Sequence, residues 1–305
     1  MKKLLSIILL AFIGFTGLQA QFGLSGEFRP RTEYSHGYGN LAAADQTASL
    51  FTSQRTRVNF AYSADKITTK LVLQDVRNWG NQSQLTGNEN FATSIHEAWA
   101  EAKIGHGLSL QMGRQELVYD NHRIFGNVGW AQQGRSHDLF LAKYKGMINL
   151  HIGLAYNQSG ARTNNFYYGP DAYKAMQFMW LNKRFGKLNV SILALNNGVP
   201  YTISSGPNGG ITEQGIRYSQ TIGSTLGYQA GKLSAGGNVY YQMGTDAAGK
   251  ELNAYEFMVE AGFALSSKTK LGLSCEVLSG TSSSETTVNN SFTPLYGTNH
   301  KFNGH

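Results

Sequence analysis

The sequence predicts an all-β chain, an antiparallel transmembrane β-barrel entered through an export signal. Three observations carry this. The first twenty residues read as a secretory leader. Strand-like runs of about ten residues alternate apolar and polar side chains along most of the chain. Tight turns and long loops alternate between those runs, with the short turns at Asp65, His106, Gly146, Gly186, Gly231 and Ser267 set about forty residues apart.

The leader comes first. Lys2 and Lys3 precede an apolar run from Leu4 to Phe15, and small and polar residues close it at Leu18-Gln19-Ala20. A basic start, a short apolar stretch and a small residue at the cut mark a signal peptide, and the run is too short for a comfortable membrane anchor. Residues 1–20 are therefore set apart from the domain expected over 21–305. The chain carries a formal charge of +7, and Lys2 and Lys3 account for two of its 26 basic side chains against 19 acidic ones, which leaves +5. A single cysteine, Cys275, excludes a disulfide framework and a multi-cysteine metal cage. No run beyond the leader is apolar for as long as a spanning helix needs, about eighteen residues. A closed barrel is the other structure that satisfies its backbone within a bilayer.

The strands follow in order: 22–34, 51–64, 67–77, 93–104, 108–115, 135–145, 147–157, 173–185, 188–196, 218–229, 233–244, 253–265 and 269–278. In the first, Leu24, Gly26, Phe28, Thr32 and Tyr34 oppose Ser25, Glu27, Arg29, Arg31 and Glu33. In 254–265, Tyr255, Phe257, Val259, Ala261, Phe263 and Leu265 oppose Ala254, Glu256, Met258, Glu260 and Gly262. Side chains of a strand point to opposite faces with a period of two, so each run has an apolar and a polar face. A propeller has a similar period but needs four strands in it, where this chain has two. A soluble sandwich would turn its apolar faces inward. Charges spread over many strands (Arg29, Arg31, Arg55, Arg57, Lys70, Glu97, Glu101, Glu256, Glu260) suit a water-filled lumen instead. Pro30 removes a ladder donor, so it is expected near the outer end of the first strand or at a bulge. Thirteen strands would leave the chain ending outside the cell, whereas bacterial single-chain barrels have even strand numbers, which predicts further strands after His305.

Catalytic motifs are weak. Gly244-Thr245-Asp246-Ala247-Ala248-Gly249-Lys250 matches most of a phosphate loop, but Glu251 replaces the metal-holding Ser or Thr and no helix pattern follows. His96-Glu97 begins like a zinc-helix motif, yet Ala100 stands where the second histidine belongs. Asp120, His122, Ser136, His137 and Asp138 supply the residue types of a hydrolytic triad without a spacing that selects a nucleophile, and His122 with His137 makes an equally weak metal pair. The chain is therefore expected not to be an enzyme, to need no cofactor, and, with its positive charge dispersed, not to bind nucleic acid.

One segment stands out: Gly113-Arg114-Gln115-Glu116-Leu117, Tyr119, Asp120, Arg123, Gly126, Trp130, Gly134-Arg135 and Asp138. It resembles the alginate-export porins, outer-membrane barrels of Gram-negative bacteria. Leu73–Gly80, His96–Trp99 and Phe292–Lys301 support the resemblance, which spans about residue 22 to the end. The resemblance implies an eighteen-stranded barrel and passive passage or export of an anionic solute or polysaccharide through an arginine-lined lumen. It implies that Arg114, Arg123, Arg135 and Asp138 line that path, with Arg77 and Glu97 nearby. Each of these has a competing role in an ion pair that fixes loop to wall. The strand pattern adds Arg29, Arg31, Arg55 and Arg57 to the lumen. The expected partners are outer-membrane lipid, the anionic solute, and a periplasmic export partner. The alternative is a barrel that anchors long external loops for ligand binding or adhesion and does not conduct.

Overall fold

A computed structural model describes residues 21–37, 41–85, 93–158, 160, 173–205 and 211–303. The expected signal peptide lies outside the described residues. Thirteen antiparallel strands account for most of the rest: β1 (Gln21–Ser35), β2 (Ser49–Ser63), β3 (Ile67–Asn78), β4 (Thr93–Gly105), β5 (Leu108–Gln115), β6 (His137–Lys145), β7 (Asn149–Tyr156), β8 (Ala175–Phe185), β9 (Leu188–Ser205), β10 (Ile211–Ala230), β11 (Leu233–Thr245), β12 (Glu251–Ala264) and β13 (Lys270–Leu278). A two-residue β14 (Val288–Asn289) pairs in parallel with β12, and one short helix, α1 (His300–Asn303), follows. No described helix is long and apolar enough to cross a membrane.

The chain forms two compact units. The first holds the described residues up to Lys103 together with 113–116 and 128–136; the second holds 104–112, 117–127 and 137 onward. In the first, β1 to β4 pair in sequence order, with Arg29 opposite Arg55 and Arg57 opposite Gln74. In the second, β6 to β13 likewise pair each with the next.

Burial is inverted relative to a soluble protein. Phe28 and Leu24 are each 64% exposed and Phe257 46%, whereas Arg55 is 5% exposed and Glu256 is fully buried. The apolar faces read from the alternation point outward and the polar faces inward. That is how a strand built for lipid on one side is arranged.

Three expectations are corrected. β9 and β10 run well past 196 and start well before 218, into a segment expected to be loop. Gly198, Pro200 and Gly215 look like breakers, but Pro200 sits opposite Ile216 and Gly215 opposite Tyr201 in a continued ladder. A Cβ on Gly215 would lie 2.5 Å from the Tyr201 ring, so the glycine makes room for a cross-strand aromatic. Of the two places expected for Pro30, the bulge is excluded, for β1 and β2 keep one register through Pro30 and Gln54. The third correction concerns the second unit, whose interior holds an apolar cluster beside its buried polar groups. Leu139, Leu141, Phe178, Leu193 and Leu195 from its wall pack with Leu117, Tyr119, Ile124 and Phe125 of 117–127 and with Phe292. These wall strands carry apolar residues on both faces, which is what a strand buried on both sides requires.

Candidate functional site

The first unit contains a row of arginines. Alternation puts Glu27, Arg29 and Arg31 on one face of β1, and the β1–β2 register sets them beside Arg57, Arg55 and Ser53. The segment 128–136 folds back onto this row. Arg29 Nη1 donates to Gly129 O at 2.6 Å, its Nη2 donates to Ala131 O at 2.7 Å, and its Nε donates to Gln132 Oε1 at 3.1 Å. Arg31 Nη1 donates to Trp130 O at 3.1 Å. Arg55 Nη1 donates to Ala131 O and Gln132 O at 3.2 and 3.3 Å, and its Nε donates to Glu27 Oε1 at 3.1 Å. Arg57 reaches Gln133 O at 3.3 Å and Gln74 Oε1 at 2.7 Å. Five successive carbonyls, 129 to 133, thus accept from guanidinium N–H groups. A guanidinium presents five donors in a fixed plane, so four of them can hold a stretch of backbone that has no ladder of its own.

Two backbone irregularities position the neighbouring groups. The β3–β4 register slips between Val72 and Leu73, leaving His96 as the extra residue of a bulge. A bulge re-aims a side chain, and here both His96 and Glu97 are buried although strict alternation would separate them. The second irregularity is Gly113, with φ of +125° and its would-be Cβ 2.2 Å from Ala98 O. Only glycine fits there, and it sets the aim of Arg114 and Glu116. Gly113→Ala is expected to cost on the order of 2 kcal/mol or more, read as a lowered denaturation midpoint of the folded chain.

His96 Nε2 then meets Glu116 Oε1 at 2.7 Å, and its Nδ1 lies 3.3 Å from Ser136 Oγ. Glu97 accepts from Trp99 Nε1 at 3.0 Å and pairs with Lys70. Arg114 Nε donates to Ile95 O at 3.0 Å. A cavity of about 360 Å³ opens between these groups, lined by Gln74, Ser94, His96, Arg114, Gln133 and Ser136 among others.

The second unit has its own polar centre. Arg123 is fully buried, with Nη2 at 2.8 Å from Glu276 Oε1 and Nε at 4.0 Å from Glu256 Oε1. Distance and direction disagree here, for the same nitrogens make no aligned hydrogen bond. The short separation still fixes the sign of the interaction, so this is a Coulombic contact rather than a directed bond. The guanidinium also lies over the Phe302 ring at 4.7 Å. Asn238 Nδ2 donates to Glu256 Oε2 at 2.6 Å, and Asn121 Nδ2 donates to Asn238 Oδ1 at 2.6 Å. Gly126 N donates to Tyr296 O at 2.9 Å and Thr298 N to His122 O at 3.0 Å, which ties 117–127 to the segment around Tyr296. Asp120 accepts from Trp180 Nε1 at 3.0 Å, and burial pushes its carboxyl above the usual carboxylate range against that bond.

The expected path residues therefore divide. Arg29, Arg31, Arg55, Arg57 and Glu97 face inward as the alternation implies. Arg114 lines the cavity, and Arg135 is half-buried on the inward segment. Arg123 is placed differently: completely enclosed, it anchors a loop and lines no open path. Asp138 shares its face of β6 with Phe140, which lies opposite Leu154 on the apolar outer side. Its position one residue into the strand sets that face. Arg77 sits opposite Gln54 and is paired with Asp75 at 2.6 Å, on the other face of β3 from Gln74. Sequence reasoning passed over Glu116 and Glu276 as partners. It also passed over Gln132, whose Oε1 and Nε2 link Arg29 to Ser53. The phosphate-loop match is a hairpin turn in which Asp246 Oδ1 accepts from Lys250 N at 2.8 Å.

No family model and no curated protein matches this sequence. Solved structures do. OccK11 (OpdR) of Pseudomonas aeruginosa superposes with a TM-score of 0.53 at 12% identity, over 86% of this chain and 63% of that one. OprB of Pseudomonas putida gives 0.50 at 12%, over 85% and 75%. OmpT of Vibrio cholerae, described as an outer membrane protein, gives 0.50 at 14%, over 85% and 76%. The fold is that of an outer-membrane β-barrel. At these identities the likeness carries the barrel and does not extend to the alginate-export porins as a family. It also corrects the expectation that the chain is not an enzyme. A barrel fold shared at 12–14% identity decides neither catalysis nor its absence, so that expectation is withdrawn.

Proposed function

We propose that this chain is a porin-like channel of the Gram-negative outer membrane that passes anionic solutes or an anionic, alginate-like polysaccharide. The observation that carries the reading is the inward arginine row of the first unit with Arg114 and Arg135 beside it. Guanidinium groups bind carboxylates with paired hydrogen bonds, and rings of like charge set the selectivity of pores. A barrel of the size implied by the resemblance, eighteen strands, leaves an aqueous channel. Its partners in this reading are lipid, the solute and a periplasmic export partner.

Arg114→Ala and Arg135→Ala are each expected to lower anion preference, measured as the reversal potential of the full chain in a planar bilayer under a salt gradient. Unchanged reversal potentials in both would remove the lining role.

A second reading is favoured by the apolar filling of the second unit. Tyr119, Phe125 and Phe178 occupy interior space that a wide pore would leave wet. That arrangement suits a barrel that anchors external loops for ligand binding or adhesion. Bilayers decide here too, for an anchor inserts without passing current.

A further inference from the structure

We infer that Ser136, His96 and Glu116 form a hydrolytic triad that cleaves small carboxylic esters in the cavity of the first unit. The three residues come from separate elements: the end of the inward segment, the β4 bulge, and the residue after β5. They nevertheless meet at 3.3 and 2.7 Å around one imidazole. A nucleophile held by a base that is itself oriented by a carboxylate is the geometric test of such a site, and sequence order does not enter it. The local candidates fail the same test. His137 Nδ1 faces Tyr173 OH at 3.2 Å, Asp138 lies on the outer face, and Asp120 is taken by Trp180.

One tautomer satisfies both contacts. Nε2–H donates to Glu116 Oε1, which leaves the Nδ1 lone pair to accept from Ser136 Oγ–H. Arg57 Nη1 lies 3.9 Å from the same Glu116 oxygen. A nucleophile–base separation of 3.3 Å is at the long end, as is common before substrate tightens the site. Ser136, His96 and Arg114 all line the 360 Å³ cavity, which has room for a short acyl ester. Arg114 is anchored through Nε to Ile95 O, so its guanidinium keeps a fixed plane.

The reaction balances without a further reagent. Ser136 Oγ attacks the ester carbonyl carbon as its proton passes to His96 Nδ1, and the carbonyl π pair moves to oxygen, stabilised by the Arg114 cation. Collapse breaks the bond to the alkoxide, which takes the proton from Nδ1 and leaves as alcohol. Water repeats the sequence on the acyl-serine and releases the acid. Ester and water become acid and alcohol, and the triad returns to its starting protonation.

The test uses the full chain folded in detergent, p-nitrophenyl acetate as substrate and a fluorophosphonate as covalent probe. The expected result is a single phosphonylated serine, Ser136, and hydrolysis above buffer. Ser136→Ala and Glu116→Gln should each lose on the order of 10²-fold or more. His96→Gln should abolish labelling, and where it fails to fold the other two variants decide alone. Labelling spread over surface serines, or wild-type rates in Ser136→Ala and Glu116→Gln, would overturn the assignment and leave the three residues as a purely structural hydrogen-bond network.

Discussion

Replacing Arg55 with alanine is expected to release segment 128–136 from its wall and raise single-channel conductance, with larger current fluctuations. Arg55 is buried, and its guanidinium joins Glu27 to the carbonyls of Ala131 and Gln132. Removing it leaves Glu27 and Gln132 O without that partner, while Ala131 O keeps only its bond from Arg29. Glu27 is 36% exposed, so water screens that half of the loss and the cost falls mainly on the carbonyls left behind. The backbone of 129–133 cannot replace what is lost, because its carbonyls are held by side chains and not by a strand ladder. Strain adds to the tendency to move, since Val128 has φ of +50°, a conformation that costs a β-branched residue on the order of 1–3 kcal/mol. Arg55→Lys separates charge from geometry. Lysine keeps the cation but cannot serve Glu27 and two carbonyls from one plane, so its conductance should fall between wild type and alanine. If Arg55→Ala conducts and fluctuates like wild type, the arginine row does not hold the segment.

The strands were legible because a period of two is a local property. Every expected run from β1 to β13 is a strand, with β9 and β10 longer than the alternation showed, and the exposure of Phe28 and Phe257 follows from the same pattern. What was not legible depended on contacts between distant residues. His96 turns inward because of one extra residue in β4 relative to β3, and a register slip of that kind leaves no mark on alternation. Gly215 reads as a loop residue until Tyr201 is found across from it. The resemblance places Asp138 on the pore path, and its place in β6 turns it outward. The aromatic interior of the second unit had a signal that went unused. Leu139-Phe140-Leu141 and Phe178-Met179-Trp180 do not alternate, and a membrane strand apolar on both faces must have an apolar neighbour inside. Loop residues have no period at all, so nothing in the sequence distinguished the enclosed Arg123 from the half-buried Arg135.

Arg123 gives the other large expected effect. Its guanidinium is the cation between two inward glutamates, Glu256 and Glu276, in an interior closed by Phe292 and Phe302. Arg123→Met keeps much of the volume and the contact with the rings but leaves two carboxylates facing each other out of water. The expected loss is about 3–5 kcal/mol of stability, seen as a lower urea midpoint for the folded chain. The cost should come from the stranded charges and not from lost packing. Arg123→Met combined with Glu256→Gln and Glu276→Gln should therefore recover most of the midpoint, because a neutral site of similar shape has little left to desolvate. Asn238 can still donate to the glutamine oxygen at position 256, which preserves the link through Asn121 to the 117–127 segment. A triple variant as unstable as the single one would show that Arg123 acts through packing against Phe302. In that case the two glutamates would not be its electrostatic partners, despite the 2.8 Å approach to Glu276.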